Sequence, residues 1–251
     1  MTKLRDKVVL VTGASSGLGE RFVRVAASAG ARVVAGARRK DRLDKLISDV
    51  TSGGGKALAV SLDVTDEASV ISCYDQAEKK FGIVTGIVAN AGVNIEGLAT
   101  DIGVEDFDAV FAVNVRGVFL TAREGARRLQ TAGLGADGRV VLVSSITAHM
   151  RTAGIVPYSA SKAAVTHMGR LLAREWARHG PNVNILSPGY IRSELAGDWF
   201  ETEGGKRQIS TWPRRRLLEP EVLDESILYL LSSASSGVTG SEIVIDDGQS
   251  L

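Results

Sequence analysis

Residues 7 to 30 read KVVLVTGASSGLGERFVRVAASAG, and the division of this stretch into elements decides the fold. KVVLV (7–11) is a short run of branched apolar residues, the pattern of a strand buried on both faces. In ERFVRVAASAG the apolar residues Phe22, Val25, Ala26 and Ala29 fall three or four apart, the spacing of one helix face. Between them lies TGASSGLG (12–19), where Gly13, Gly17 and Gly19 allow a sharp turn from strand to helix and the close approach of a ligand to the backbone. The free amides of that helix N-terminus face an anion, and the helix dipole favours it. The spacing, G-x-x-x-G-x-G, differs from the G-x-G-x-x-G dinucleotide fingerprint, but it occupies the same strand-turn-helix position. That context favours a pyrophosphate ligand over an ordinary tight turn.

The same rhythm continues along the chain. ARVVAG (31–36), KALAVSL (56–62), TGIVA (85–89), GRVVLV (138–143), NVNIL (182–186) and SEIVI (241–245) each read as a strand buried on both faces. The stretches between them are mostly helical in spacing, as in Val165, Met168, Leu171, Leu172 and Glu175. Strand and helix in alternation predict an α/β fold: a doubly wound parallel sheet of about seven strands with helices on both faces, a Rossmann fold. Gly53, Gly54 and Gly55 read as a loop, because composition does not change across them.

With 251 residues, 44% hydrophobic and 24% charged, residues 1–251 are expected to form a single domain. Lys and Arg number 30 against 29 Asp and Glu, so no basic excess points to nucleic acid or to a membrane surface. A lone cysteine, Cys73, and three histidines suggest neither an internal disulfide nor a metal site. The apolar run near the N-terminus is too short for a signal segment or a span, and the expectation is a soluble cytoplasmic protein. Residues 193–216, SELAGDWFETEGGKRQISTWPRRR, break the rhythm with Gly204, Gly205 and Pro213 and carry Trp199 and Trp212. They read either as a mobile substrate flap or as a pair of short helices at a subunit contact.

The second strand runs into GARRK (36–40), where a dinucleotide site would place an acid for the adenosine ribose of NAD or a base for the 2′-phosphate of NADP. Arg38 and Arg39 stand there, and Asp41 arrives too late to bond the ribose in the usual way. A guanidinium suits a phosphate because its planar fork donates two hydrogen bonds at once. The plain alternative is two solvated arginines at the start of the next helix. NADP(H) is favoured, with NAD(H) as the alternative.

Ligands in open parallel sheets bind outside the carboxyl ends of the strands. Asn90, Ala91 and Gly92 follow one strand, Ser144 and Ser145 a second, and Ser187, Pro188 and Gly189 a third. YSASK (158–162) then places Tyr158 and Lys162 on one helix face.

TGASSGLG, NAG (90–92), Asn114 in FAVNVRG, Ser145, YSASK and PGYIRS (188–193) stand in the order and at the spacing of the short-chain dehydrogenase/reductases. The chain resembles that family, in its single-domain form, over nearly its whole length. Ala89 replaces the usual asparagine before NAG, and Ser193 the usual threonine. The resemblance implies hydride transfer between nicotinamide and a carbonyl or secondary alcohol, with Asn114, Ser145, Tyr158 and Lys162 as the catalytic set. A free phenol titrates near ~10, so Tyr158 needs a cation beside it to act as a base, and Lys162 would supply it. Ser145, thirteen residues before the tyrosine, would donate to the substrate oxygen, and Asn114 would hold a water that links Lys162 to solvent.

The cofactor would lie on Gly13, Ser15, Ser16, Gly17, Leu18, Gly19, Arg38, Arg39, Asp63, Val64, Asn90, Ala91, Gly92, Tyr158, Lys162, Pro188, Gly189, Ile191 and Ser193. By the same resemblance the substrate pocket would be lined by Asn94, Ser145, His149, Met150, Val156, Tyr190, Trp199 and the 194–216 segment, a set that suggests a hydrophobic small molecule and no metal. It also implies a homo-oligomer, tetramer or dimer, with VTGSEIVIDDGQSL (238–251) near a subunit contact. A dinucleotide-sensing regulatory protein that has lost turnover is the main alternative, and the intact set of four argues against it. A lyase or epimerase with tightly bound NAD is disfavoured by the absence of an added substrate region.

Overall fold

The computed structural model describes residues 4–192 and 197–251. Its strands are β1 (Val8–Thr12), β2 (Arg32–Ala37), β3 (Lys56–Ser61), β4 (Gly86–Ala89), β5 (Arg139–Val143), β6 (Asn182–Pro188) and β7 (Glu242–Ile245). They form one parallel sheet in the order β3-β2-β1-β4-β5-β6-β7. The helices are α1 (Gly17–Ser28), α2 (Lys40–Ser52), α3 (Glu67–Phe81), α4 (Val104–Phe111), α5 (Val118–Thr131), α6 (Val156–Trp176), α7 (Glu203–Thr211) and α8 (Asp224–Leu231). Every strand expected from the sequence is present, displaced by at most two residues at an end. The chain moves outward through β2 and β3, then returns to place β4 on the other side of β1, so the strand order reverses between β1 and β4. In such sheets the crevice at that reversal is where ligands sit.

Alternation along β1 divides its side chains between two cores. Val9 and Val11 pack with Phe22 and Ala26 of α1, Leu43 of α2 and Leu231 of α8. Val8 and Leu10 face the opposite layer, with Tyr74 of α3, Leu129 of α5 and Val165 of α6. Two strands depart from the expectation of burial on both faces: β3 leaves Lys56 and Ser61 exposed, and Val244 on β7 is 46% exposed. Both are edge strands, with a neighbour on one side only. Leu171, counted in the apolar stripe of α6, is 56% exposed. At 100° per residue it lies about 120° around the helix from Val165.

Two further corrections concern local structure. Asn114 lies in a π-helical turn, Ala112–Gly117, between α4 and α5, and not in a regular α-helix. Within 193–216, the described residues form a 3₁₀ turn at Trp199–Glu201 followed by α7. Gly204 and Gly205, read as breakers, sit inside the first turn of α7. A Cβ on Gly205 would lie 2.2 Å from the Trp199 carbonyl oxygen, so the glycine lets the turn pack against the helix. Phe200 and Trp212 bury themselves around Tyr190, with Tyr190 and Trp212 stacked at 5.2 Å and Phe200 edge-on to Tyr190 at 5.4 Å. This aromatic cluster fastens the segment to the end of β6.

Candidate active site

The crevice between β1 and β4 is built from their last residues. Thr12 Oγ1 accepts hydrogen bonds from the Asn90 and Ala91 amides at 3.1 Å each, and Asn90 Nδ2 donates to the Thr12 carbonyl at 2.9 Å. This clamp sets the glycine turn beside the NAG segment. Gly13 and Gly17 have φ of 68° and 53°, in the left-handed region that glycine enters without strain. At Gly19 a Cβ would lie 2.2 Å from the Gly13 carbonyl oxygen and 2.8 Å from Asn90 Nδ2. The result is a cradle walled by backbone, and no side chain caps the first turn of α1. Its free amides and missing Cβ atoms fit a pyrophosphate.

A cleft of about 870 Å³ extends from this cradle in both directions. At one end stand Arg38, Arg39, Asp63 and Val64, with Ser15, Ser16 and Leu18 along the wall. Arg39 precedes α2 directly, and its Nε and Nη2 donate to Ser15 Oγ and Ser16 Oγ at 3.1 and 2.6 Å. The guanidinium is thus held across the glycine turn, while Asp41 is carried into the first turn of α2. Asp63 accepts from the Thr65 amide and hydroxyl at 2.9 and 2.8 Å. Those bonds, helped by the charges of Arg38 and Arg116, hold its carboxyl below the usual carboxylate range.

On the other side of the cradle Ser145, Tyr158 and Lys162 all line the cleft. Lys162 Nζ donates to the Val143 carbonyl at 2.9 Å and lies 5.5 Å from the centre of the Tyr158 ring. Burial lowers the Lys162 ammonium to about 8 and pushes the Tyr158 phenol up to about 12, the hydrogen bond from Ser145 recovering part of the latter. The cation beside Tyr158 therefore does not bring its phenol down, as the sequence led one to expect: desolvation outweighs any help from the lysine. Ser145 is itself constrained. Thr147 donates to its Oγ twice, from the amide at 3.2 Å and from Oγ1 at 3.0 Å. Both acceptor positions of the serine are then filled, and its one proton is left to be donated. Ser144, also on the cleft wall, commits its hydroxyl to the Lys162 carbonyl and Thr166 Oγ1 at 2.9 and 2.7 Å.

Asn114 is fully buried, and its Nδ2 donates to the Val93 carbonyl and to Ser161 Oγ, both at 2.9 Å. Its Oδ1 accepts from the Val93 amide at 2.8 Å, and Ser161 in turn donates to the Tyr158 carbonyl at 2.6 Å. Asn114 thus braces the NAG segment against the turn that carries Tyr158.

Pro188, Gly189, Tyr190 and Ile191 close the far wall with Trp199 and Phe200. Asn94 also lines the cleft, as expected, but three predicted substrate residues do not. His149 turns to the sheet edge, where its Nε2 and Glu242 Oε1 are hydrogen-bonded at 2.7 Å. Val156 begins α6 and is 46% exposed, and Met150 lies off the cleft wall. Ser193 lies outside the described residues. Phe200 and Gln208, from the expected 194–216 segment, line the cleft, while sequence reasoning missed Thr147, Thr152 and Glu96, which also line it, and Gln249, which holds it. Gln249 Oε1 accepts from the Tyr190 amide at 2.6 Å, and its Nε2 donates to the Tyr190 and Arg216 carbonyls at 3.2 Å each. Thr147 carried a local signal, being two residues beyond the chosen serine. Gln249 carried none, since its partner Tyr190 is 59 residues away in sequence.

Residues 7–204 match the family profile described as short chain dehydrogenase. Among curated proteins, the chain is 33% identical over 246 residues to the 3-oxoacyl-[acyl-carrier-protein] reductase of Thermotoga maritima, covering 98% of each chain. Among solved structures it superposes on a short-chain type dehydrogenase/reductase from Mycobacterium marinum with a TM-score of 0.93 at 37% identity, covering 99% of this chain and 97% of that one. A gluconate 5-dehydrogenase from Burkholderia cenocepacia, in complex with NADP and tartrate, also gives a TM-score of 0.93, at 28% identity over 99% of this chain and 96% of that one.

Proposed function

Because the chain belongs to the short-chain dehydrogenase/reductases and is therefore an NAD(P)-dependent oxidoreductase of CH–OH and C=O groups, we propose that it works with NADP(H), with Tyr158 as the proton donor and acceptor. The observation that carries this reading is the convergence of Ser145, Tyr158 and Lys162 on one cleft whose other end holds Arg38 and Arg39.

When bound, the nicotinamide supplies hydride to a carbonyl carbon or takes it from an alcohol carbon. The protein's part is to place the carbonyl oxygen and to move the proton. Ser145 Oγ, with both acceptor positions taken by Thr147, donates a hydrogen bond to that oxygen. Tyr158 Oη then gives it a proton. A buried phenol pushed up to about 12 is protonated at neutral pH, which is the form that reduction consumes. Alcohol oxidation needs the phenolate, and there the ammonium of Lys162 beside the ring favours its formation. Lys162 has three donors, one of them used on Val143, so two remain for ribose hydroxyls and for the reprotonation path. The Asn114 brace fixes the turn that carries Tyr158 and so the direction of its hydroxyl.

The preference for NADP(H) rests on Arg39, tied to the glycine turn by two serine hydroxyls, and on the absence of a carboxylate from the end of β2. A structural relative that holds NADP supports it. Ile155, Tyr190, Trp199 and Phe200 give the substrate end apolar walls that suit a small molecule with a hydrophobic body. Titration with NADPH and with NADH, followed by energy transfer from tryptophan to the nicotinamide, tests the reading when a panel of ketones is then added. Tighter NADPH binding with oxidation on addition of a ketone supports it; binding of neither cofactor refutes it.

A further inference from the structure

The substrate end of the cleft is sharply unequal in charge. Among the described residues that line the whole cleft, the cations are Arg38 and Arg39 at the far end and Lys162 on the floor. None stands in the outer part of the substrate end, formed by Asn94, Glu96, Thr152, Tyr190, Trp199 and Gln208. Arg151, Arg192 and Arg207 neighbour it in sequence without lining the cleft.

The polar groups that do line it are rich in acceptors. Glu96 brings a carboxylate that receives one long bond, from Asn94 Nδ2 at 3.3 Å. Glu96 is exposed and open to a ligand, whereas the unpaired Oδ1 of Asn94 is buried and out of its reach. Gln208 Oε1 is occupied by Trp199 Nε1 at 2.8 Å, and the hydroxyls of Thr152 and Tyr190 meet at 3.5 Å. An anionic group placed here would meet a carboxylate and find no cation. A group that brings its own protons would find an acceptor.

Resting on the oxidoreductase reading of this site, we infer that the substrate is a ketone or secondary alcohol with an apolar body and a hydrogen-bond-donating end, a hydroxyl or an ammonium, which the Glu96 carboxylate receives. Carboxylate and phosphate ends are selected against. Glu96 is thus a specificity-determining residue.

The test uses four ketones that differ only at the far end: 4-(aminomethyl)-, 4-(hydroxymethyl)-, 4-ethyl- and 4-(carboxymethyl)acetophenone. Their binding to the protein saturated with NADP⁺ is measured by calorimetry at low ionic strength, and their reduction by NADPH is measured separately. The ammonium compound should bind about tenfold more tightly than the carboxylate, with the hydroxyl compound above the ethyl, and the gap should narrow with salt. Glu96→Gln should shrink the ammonium-to-carboxylate ratio to about threefold or less, and Glu96→Asp should keep its direction. Equal or tighter binding of the carboxylate, a ratio unchanged in Glu96→Gln, or no binding of any of the four overturns the inference. Binding in the expected order without reduction of any ketone would instead refute the oxidoreductase reading of the site, and reduction without that order would refute the inference alone.

Discussion

Replacing Thr147 by Val keeps the branched shape of a side chain that is almost fully buried and removes one donor from Ser145 Oγ. In the intact site that oxygen accepts at 3.2 and 3.0 Å, and its only proton is left for the Tyr158 phenol or, once substrate is bound, for the substrate oxygen. With one acceptor position released, the serine hydroxyl can turn elsewhere, and its hydrogen bond to the substrate oxygen is no longer fixed in advance. A buried neutral hydrogen bond contributes about 0.5–1.5 kcal/mol, so kcat for ketone reduction should fall about 2- to 12-fold, with the KM for NADPH unchanged. The Ser145 bond also lowers the phenol, so its weakening should move the pH profile of alcohol oxidation, which needs the phenolate, to higher pH. Thr147→Ser retains the hydroxyl and should recover most of the rate. Steady-state kinetics from pH 6 to 10 for the three proteins decide the matter. A wild-type kcat in Thr147→Val, or an equal loss in Thr147→Ser, would refute the reasoning.

Arg39→Ala should raise the KM for NADPH by about tenfold or more while changing that for NADH little, since a hydrogen bond to a charged group contributes about 1.5–3 kcal/mol; equal changes would remove the phosphate assignment. Lys162→Met should abolish turnover yet stabilise the unliganded protein. The ammonium is lowered from 10.5 to about 8 by burial, equivalent to about 3 kcal/mol, and after loss of its bond to Val143 a gain of about 1–3 kcal/mol, or about 2–10 °C in Tm, is expected at neutral pH. Between about pH 8 and 10.5 the unfolded chain holds the proton that the folded site has released, so wild-type stability should recover relative to the variant as pH rises through that window; a pH-independent difference would contradict the cause given. Gln249→Ala leaves the Tyr190 amide without its partner and should cost about 1–3 kcal/mol in a denaturation curve, with a raised KM for ketone. An unchanged midpoint would show that water replaces the glutamine.

What was legible in the sequence was local. The strand-turn-helix unit at residues 7–30 announces itself through glycines whose backbone angles or lack of a Cβ the turn requires, and Tyr158 and Lys162 are neighbours by helical spacing alone. What was not legible depends on contacts between distant segments. His149 follows Ser145 closely in sequence, yet Glu242 on β7 draws it out of the cleft. Gly204 and Gly205 read as breakers because nothing in the sequence shows that Trp199 and Phe200 lie against them. The edges of the sheet could not be told from its centre, since apolar composition is similar in β3 and β4 while only one has two neighbours. The direction of the Tyr158 shift escaped for the same reason: the pair is visible in YSASK, but desolvation is a property of the closed cleft.

The central claim is that the Tyr158 hydroxyl carries the proton. Tyr158→Phe removes that one oxygen from a ring whose place in α6 is set by its neighbours. Loss of turnover by about 10²–10⁴-fold in both directions, with NADPH affinity within about threefold of wild type by fluorescence titration, is the predicted result. Turnover within tenfold of wild type would place the acid and base elsewhere and contradict the account.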